Sequence, residues 1–176
     1  MKALKIIGIV LASIIALILI VALFVPKQFI YEKTVVINAP IDSVWPNTSS
    51  LTAMDKWSPW NDHDPNMKKE LTGIDGTVGA KQSWDGKVVG IGSQTITNVQ
   101  KPTLFETSLD FMTPHESHGK GYVKLVADGN TTKATWGMTG SMPYPFNLMI
   151  LFMNMEKTMG KDWDLGLSRL KTMSEK

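Results

Sequence analysis

The sequence contains no cysteine. Disulfides, thiolate nucleophiles and cysteine-ligated metals are thereby excluded, and the apolar core must hold the fold together. Arginine is nearly absent as well: Arg169 is the only one, and Lys68-Lys69 is the only pair of adjacent basic residues. Residues 1–28 carry Lys2, Lys5 and Lys27 and no acid, so the remaining chain sets fifteen cations against sixteen anions. A nucleic-acid binder needs clustered Lys and Arg, so no nucleic-acid partner is expected. The three histidines fall in no HxH, HExxH or EF-hand spacing, and neither a metal nor any other cofactor is expected.

What the chain does possess is a long apolar run. Ile6 to Val25 holds no charge and one hydroxyl. As a helix it would be about 30 Å long, the thickness of a bilayer's hydrocarbon core. A cleaved signal has a shorter apolar stretch and a pair of small residues at its cleavage site. Here Ala22 pairs with Phe24 and Val21 with Leu23, so the run reads as an uncleaved anchor. Lys2 and Lys5 precede it, whereas Lys27 and Lys33 follow with Glu32 beside them. This bias puts the N-terminus in the cytoplasm and the C-terminal domain outside it. The expected organisation is a flank (1–5), a transmembrane anchor (6–25), a linker (26–28), one domain (29–173) and a short tail (174–176). Tethering by so short a linker keeps the domain near the membrane surface.

Within the domain, Phe29–Ile37 is β-branched and aromatic and reads as a strand. Pro40 opens a short helix over Ile41–Trp45 that Pro46 stops, and a second short helix covers Ser50–Lys56. Period-two segments follow: Met67–Gly73, Ala80–Trp84, Lys87–Val99, Leu104–Met112, Lys120–Ala127 and Thr131–Met142. Asp85-Gly86 signals a two-residue hairpin, and Asp128-Gly-Asn130 another turn. In the fourth segment Phe105, Thr107, Leu109 and Phe111 share a face opposite Glu106, Ser108 and Asp110. From Phe146 to Met173 the period changes: Leu148, Phe152, Met155, Met159, Trp163, Leu167 and Leu170 form one helical stripe. Gly160 and Gly166 weaken that helix, and close approach to the sheet is the expected reason. The implied architecture is α+β, a curved antiparallel sheet covered by one long C-terminal helix.

Several stretches carry a resemblance: WSPW…DP (Trp57–Pro65), the Gly73–Gly79 turn region, SWDGKVVGIG (Ser83–Gly92), TWGMTG (Thr135–Gly140) and LFMNMEKTMGKDWDLGLSRLK (Leu151–Lys171). In this order they resemble the polyketide cyclase/dehydrase branch of the START-like, or SRPBCC, superfamily. The resemblance covers Phe29 to about Thr172. It implies a helix-grip fold whose sheet and helix enclose a pocket for lipids or other hydrophobic molecules. One departure is Pro46-Asn47, which interrupts a helix that usually continues in the family.

Three candidate sites follow. Asp62, His63 and Asp64 read as turn residues in preference to metal ligands. His115, Glu116 and His118 are the acid/base candidates, and they read as a polar loop between two strands in preference to a catalytic pair. An apolar pocket would be lined by Trp57, Trp60, Trp84, Phe105, Leu109, Phe111, Trp136 and Met138. Met149, Phe152 and Met153 would join them from the first part of the helix, with two alternatives for that part: packing as core, or resting on the bilayer beside the anchor. The expected function is membrane-tethered, non-catalytic binding of a hydrophobic small molecule or lipid. The alternatives are a cyclase- or dehydratase-like enzyme and a co-chaperone-like interaction module. The last calls for an exposed apolar patch on the outer sheet face, where the residues are mainly polar.

Overall fold

The computed structural model describes residues 2–176. The chain forms two compact units, one made of the N-terminal residues through Phe29 with Ser141–Asn154, the other of Ile30–Gly140 with Met155–Lys176.

In the first unit, α1 spans Lys2–Phe24, 23 residues with only Ala22 buried. At 1.5 Å per residue it is about 35 Å long, and it is long and apolar enough to cross a membrane. The second half of this unit corrects a sequence expectation. No single helix runs from Phe146 to Met173. Phe146–Phe152 is a 3-10 segment, and Met153 is extended at φ −74°, ψ 121°. The cause is a long-range bond. Buried Asn147 donates from Nδ2 to the carbonyls of Ala22 (2.7 Å) and Val25 (2.8 Å). Those acceptors end α1, where carbonyls have no partner in the next turn. The Met142 N–H likewise donates to the Lys27 carbonyl at 2.8 Å.

The second unit is an α+β helix-grip fold. Its strands are β1 (Gln28–Ile37), β2 (Lys68–Thr72), β3 (Lys81–Asp85), β4 (Ile91–Gln100), β5 (Leu104–Phe111), β6 (Ser117–Asp128) and β7 (Thr131–Ser141). They form one curved, open antiparallel sheet of seven strands in the order β1-β7-β6-β5-β4-β3-β2. Three short helices, α2 (Ile41–Val44), α3 (Leu51–Asp55) and α4 (Trp60–His63), connect β1 to β2. Between α2 and α3, Trp45–Asn47 forms a 3-10 turn. The long helix α5 (Met155–Ser174) packs on the sheet.

Alternation explains the strands. On β5, Phe105 and Thr107 are buried while Glu106 and Ser108 are not. The two glycine turns behave differently. Gly129-Asn130 is a two-residue hairpin closed by the Asp128–Thr131 pair. Asp85-Gly86, expected to be one too, instead opens a five-residue loop, because Asp85 pairs with Ile91. Two groups hold that loop open: the Asp64 carboxylate accepts the Val88 N–H at 2.8 Å, and Gly90 takes φ 77° against the Thr113 carbonyl. A side chain at Gly90 would collide with that carbonyl and strain the backbone.

The core fills one end of the space between sheet and helix. Ile37, Ile96, Phe105, Val123, Leu125 and Ala134 from the sheet meet Leu167 and Leu170 from α5. Gly166 lets the helix close in, since a Cβ there would stand 2.7 Å from the Trp136 ring. Gly160 has another neighbour than expected: a Cβ would strike Glu156, one turn back on the same helix.

Candidate functional site: an apolar cavity with one polar corner

Packing is incomplete at the other end. The face of β5 that buries Phe105 continues to Leu109 and Phe111, where it borders a cavity of about 230 Å³. The sheet also supplies Trp84, Trp136 and Met138, and the helices supply Leu51, Met54, Trp60, Met159 and Trp163. The hollow lies wholly within the second unit.

Its indole wall is an interlocked set of rings. Trp136 and Trp163 stack at 4.3 Å and 15°, Trp57 abuts Trp136 edge-on at 4.9 Å, and Trp60 meets Trp163 at 6.1 Å. The Trp163 Nε1–H donates to the Trp136 carbonyl at 3.1 Å. Each aromatic pair contributes about 0.5–1.5 kcal/mol beyond its buried area. Ion pairs secure the start of α5 from outside: Lys33 on β1 reaches Glu156 and Asp164, both at 2.8 Å, and the Tyr31 hydroxyl donates to Glu156 at 2.7 Å. Hydrogen bonds to Asp164 and Glu156 hold the Lys33 ammonium's pKa up, and those from Lys33 and Tyr31 hold Glu156 down. Burial, then the Glu156 bond, pushes the Tyr31 phenol up to about 12.

One corner is polar. Asp55 at the end of α3 accepts from Lys69 on β2 (2.6 Å) and from Gln82 on β3 (2.8 Å). All three border the cavity, as do Ser58 and Gln94. Asp55 and Lys69 are its only ionisable lining residues among those described, and they neutralise each other. The placement of α3 depends on its capped N-terminus. Ser50 accepts the Ala53 N–H, and Asp75 accepts the N–H groups of Leu51 and Thr52. Burial by itself would raise the Asp75 pKa, but the Thr52 hydroxyl and three backbone N–H groups outweigh it and hold the carboxyl below its usual range.

Six of the expected lining residues therefore meet here: Trp60, Trp84, Leu109, Phe111, Trp136 and Met138. Trp57 and Phe105 do not; both are fully buried core residues, and Trp57 donates from Nε1 to the Asn47 carbonyl at 2.8 Å. Met149, Phe152 and Met153 belong to the first unit and are not lining residues. Sequence reasoning missed Asp55, Lys69 and Gln82. A signal existed for Gln82, which shares the strand face of Trp84 at i, i+2, whereas Lys69 comes opposite Trp84 only through the β2–β3 register.

The remaining candidates lie elsewhere. His118 is exposed, bonds Asp110 at 2.7 Å and lies 3.8 Å from Glu116; neither these residues nor His115 border the cavity. The Asp62-His63-Asp64 cluster sits in and just after the single turn α4 and makes protein contacts: Asp62 to Arg169 (2.6 Å), His63 to Asp162 (2.8 Å) and Asp64 to the Val88 N–H. It ties α5 and the β3–β4 loop to the corner that carries Trp60.

Known proteins share this fold. Mll3558 protein from Rhizobium loti superposes with a TM-score of 0.60 at 14% identity, covering 83% of this chain and 96% of that one. Truncated norcoclaurine synthase from Thalictrum flavum gives 0.58 at 11% identity (83% and 92% covered). Protein CV1439 from Chromobacterium violaceum gives 0.57 at 13% (86% and 99%). At such identities the likeness shows the fold alone. No curated protein matches the sequence. The family model described as "Polyketide cyclase / dehydrase and lipid transport" matches residues 28–175. The chain belongs to that family.

Proposed function

We propose that this protein is a membrane-anchored, non-catalytic binder of a small hydrophobic molecule, held in the cavity between sheet and α5. The observation that carries the reading is the cavity's lining. It is aromatic and aliphatic apart from one corner, where Asp55, Lys69 and Gln82 already satisfy one another. An apolar cavity of about 150 Å³ accepts a benzene ring, and drug-sized pockets begin near 300 Å³. At about 230 Å³ the space suits one or two fused rings or a single short acyl chain, with a polar group at the Asp55 corner. Burial of roughly 200 Å² of apolar ligand surface contributes about 5 kcal/mol from that term alone, to which contacts at the polar corner add and from which association costs subtract.

Two features support a binding role over a reactive one. His115, Glu116 and His118 stand outside the lining, and the two ionisable groups inside it are committed to each other. The anchor is the second half of the proposal. If α1 were cut off as a signal, Asn147 would lose both carbonyl partners, hydrogen bonds worth about 0.5–1.5 kcal/mol each. The lysine bias puts the N-terminus in the cytoplasm and the domain outside it.

The test is to purify the full chain from its membranes in mild detergent and identify the bound molecule by native mass spectrometry and solvent extraction. A stoichiometric small apolar compound, displaced when Leu109 is changed to Trp, is the expected result. An empty protein that no apolar compound stabilises would overturn the binding role. Turnover of the recovered compound would overturn the non-catalytic one. Protease added to intact cells checks orientation: a fully protected domain is incompatible with the one proposed.

A further inference from the structure

The apolar segment Ser141–Asn154 has no charged residue, yet it is not core. Phe146 is 63% exposed, Met149 55%, Leu151 59% and Phe152 86%. So large a group of solvent-facing apolar side chains on one short segment implies a covering partner. The segment's own bonds identify that partner. Asn147 holds the carbonyls of Ala22 and Val25, the Tyr144 hydroxyl reaches the Leu19 carbonyl at 3.3 Å, and Met142 pairs with Lys27. Each contact is to the last two turns of α1 or the residues just beyond it. If α1 spans a bilayer, this is the level where it leaves the hydrocarbon.

We infer that residues 143–153 are an interfacial foot, a short apolar segment lying in the headgroup–acyl boundary of the membrane beside the exit of α1. The proposal rests on the reading of α1 as a membrane span. A lipid surface fits the chemistry better than a second protein would. The exposed side chains are flexible or aromatic, no charge is present to specify a partner, and Tyr144 supplies the amphipathic ring typical of a membrane–water interface. The depth is bounded by the backbone. A 3-10 turn leaves carbonyls unpaired, and irregular backbone is not tolerated against lipid in the hydrocarbon centre. The foot must therefore be shallow, with Phe152 and Met149 dipping below the headgroups. Its consequence is mechanical: with the foot embedded, α1 has a second attachment at its exit, so the anchor cannot rotate freely about its own axis.

The absence of cysteine makes the test direct. Single variants Phe152→Cys, Met149→Cys, Ser13→Cys and Val126→Cys of the full chain would carry an environment-sensitive fluorophore in phosphatidylcholine–phosphatidylglycerol vesicles. Quenching by nitroxides on shallow or deep acyl carbons then reads depth. Ser13 lies near the middle of α1, and Val126 is an exposed residue of β6. All four positions are exposed, so substitution leaves the packed interior intact. Expected are a blue shift and loss of emission to shallow nitroxides at Phe152 and Met149, loss to deep nitroxides at Ser13, and neither at Val126. If Ser13 is quenched but Phe152 and Met149 behave as Val126 does, the foot is wrong and the anchor stands. If Ser13 is unquenched, the span fails and the foot with it.

Discussion

Enlarging a wall of the cavity tests whether the hollow exists and whether a ligand uses it. Met138 lies on β7, lines the space and is only partly buried. Void volume costs roughly 24 cal/mol per Å³ in cores that cannot collapse, so about 230 Å³ left empty forfeits at most about 5–6 kcal/mol. The indole of Met138→Trp, taking up about a third of the space, would recover roughly 2 kcal/mol. That gain offsets the ~1–3 kcal/mol that overpacking costs in a filled core. The expected net change is within about 1 kcal/mol, or roughly 2–4 °C in Tm for a domain of this size. Ligand linkage is the second readout. At a hundredfold excess over Kd, a ligand stabilises the native protein by about 2.7 kcal/mol, or roughly 5–10 °C. In Met138→Trp that shift should vanish, while Val126→Trp on the exposed surface of β6 should retain it. The assay is thermal unfolding of the full chain in detergent, with and without the compound recovered by extraction. A loss of about 3 kcal/mol or more in Met138→Trp would mean the site is already full. An undiminished ligand shift would mean the ligand binds elsewhere.

Three further predictions concern the cavity's supports. Asp55→Ala should cost about 1–3 kcal/mol by leaving a partly buried Lys69 ammonium unpaired, and adding Lys69→Met should restore part of that loss; denaturant unfolding of the four proteins in the cycle reads the coupling, and simple additivity would contradict the pairing. Gly166→Ala gains up to about 1 kcal/mol in helix propensity but forces a Cβ against an indole backed by two others, so chemical denaturation should show a net loss of about 1–2 kcal/mol; a gain would disprove the close approach. Asp75 has a depressed pKa in the folded state, so its stabilisation is fully present above the ordinary carboxylate range and is lost as pH falls through that range and below. Asp75→Asn should therefore lower Tm at pH 7 and shrink the difference between pH 7 and pH 3; an unchanged acid limb would remove Asp75 from the account.

Local pattern determined a great deal of this protein. The seven strands, the inward face of β5, the long apolar N-terminal helix and the stripe from Met159 to Leu170 were all legible, because composition and periodicity record which side of an element meets the core. Six residues of the cavity wall followed from the same rule. What periodicity does not record is how far apart two faces stand or where a helix axis breaks. Phe105 and Leu109 have the same pattern on one strand, yet one is sealed and the other borders a hollow, since the spacing between sheet and α5 changes along the strand. The stripe ran unbroken through Met153, but Phe146–Phe152 is a 3-10 segment whose Asn147 bonds carbonyls 122 and 125 residues away. Nothing in their local sequence sets Asp55, Lys69 and Gln82 apart as a group. They become one site only because α3, β2 and β3 converge, and convergence between distant segments is set by the tertiary packing of elements, which no local window of sequence contains.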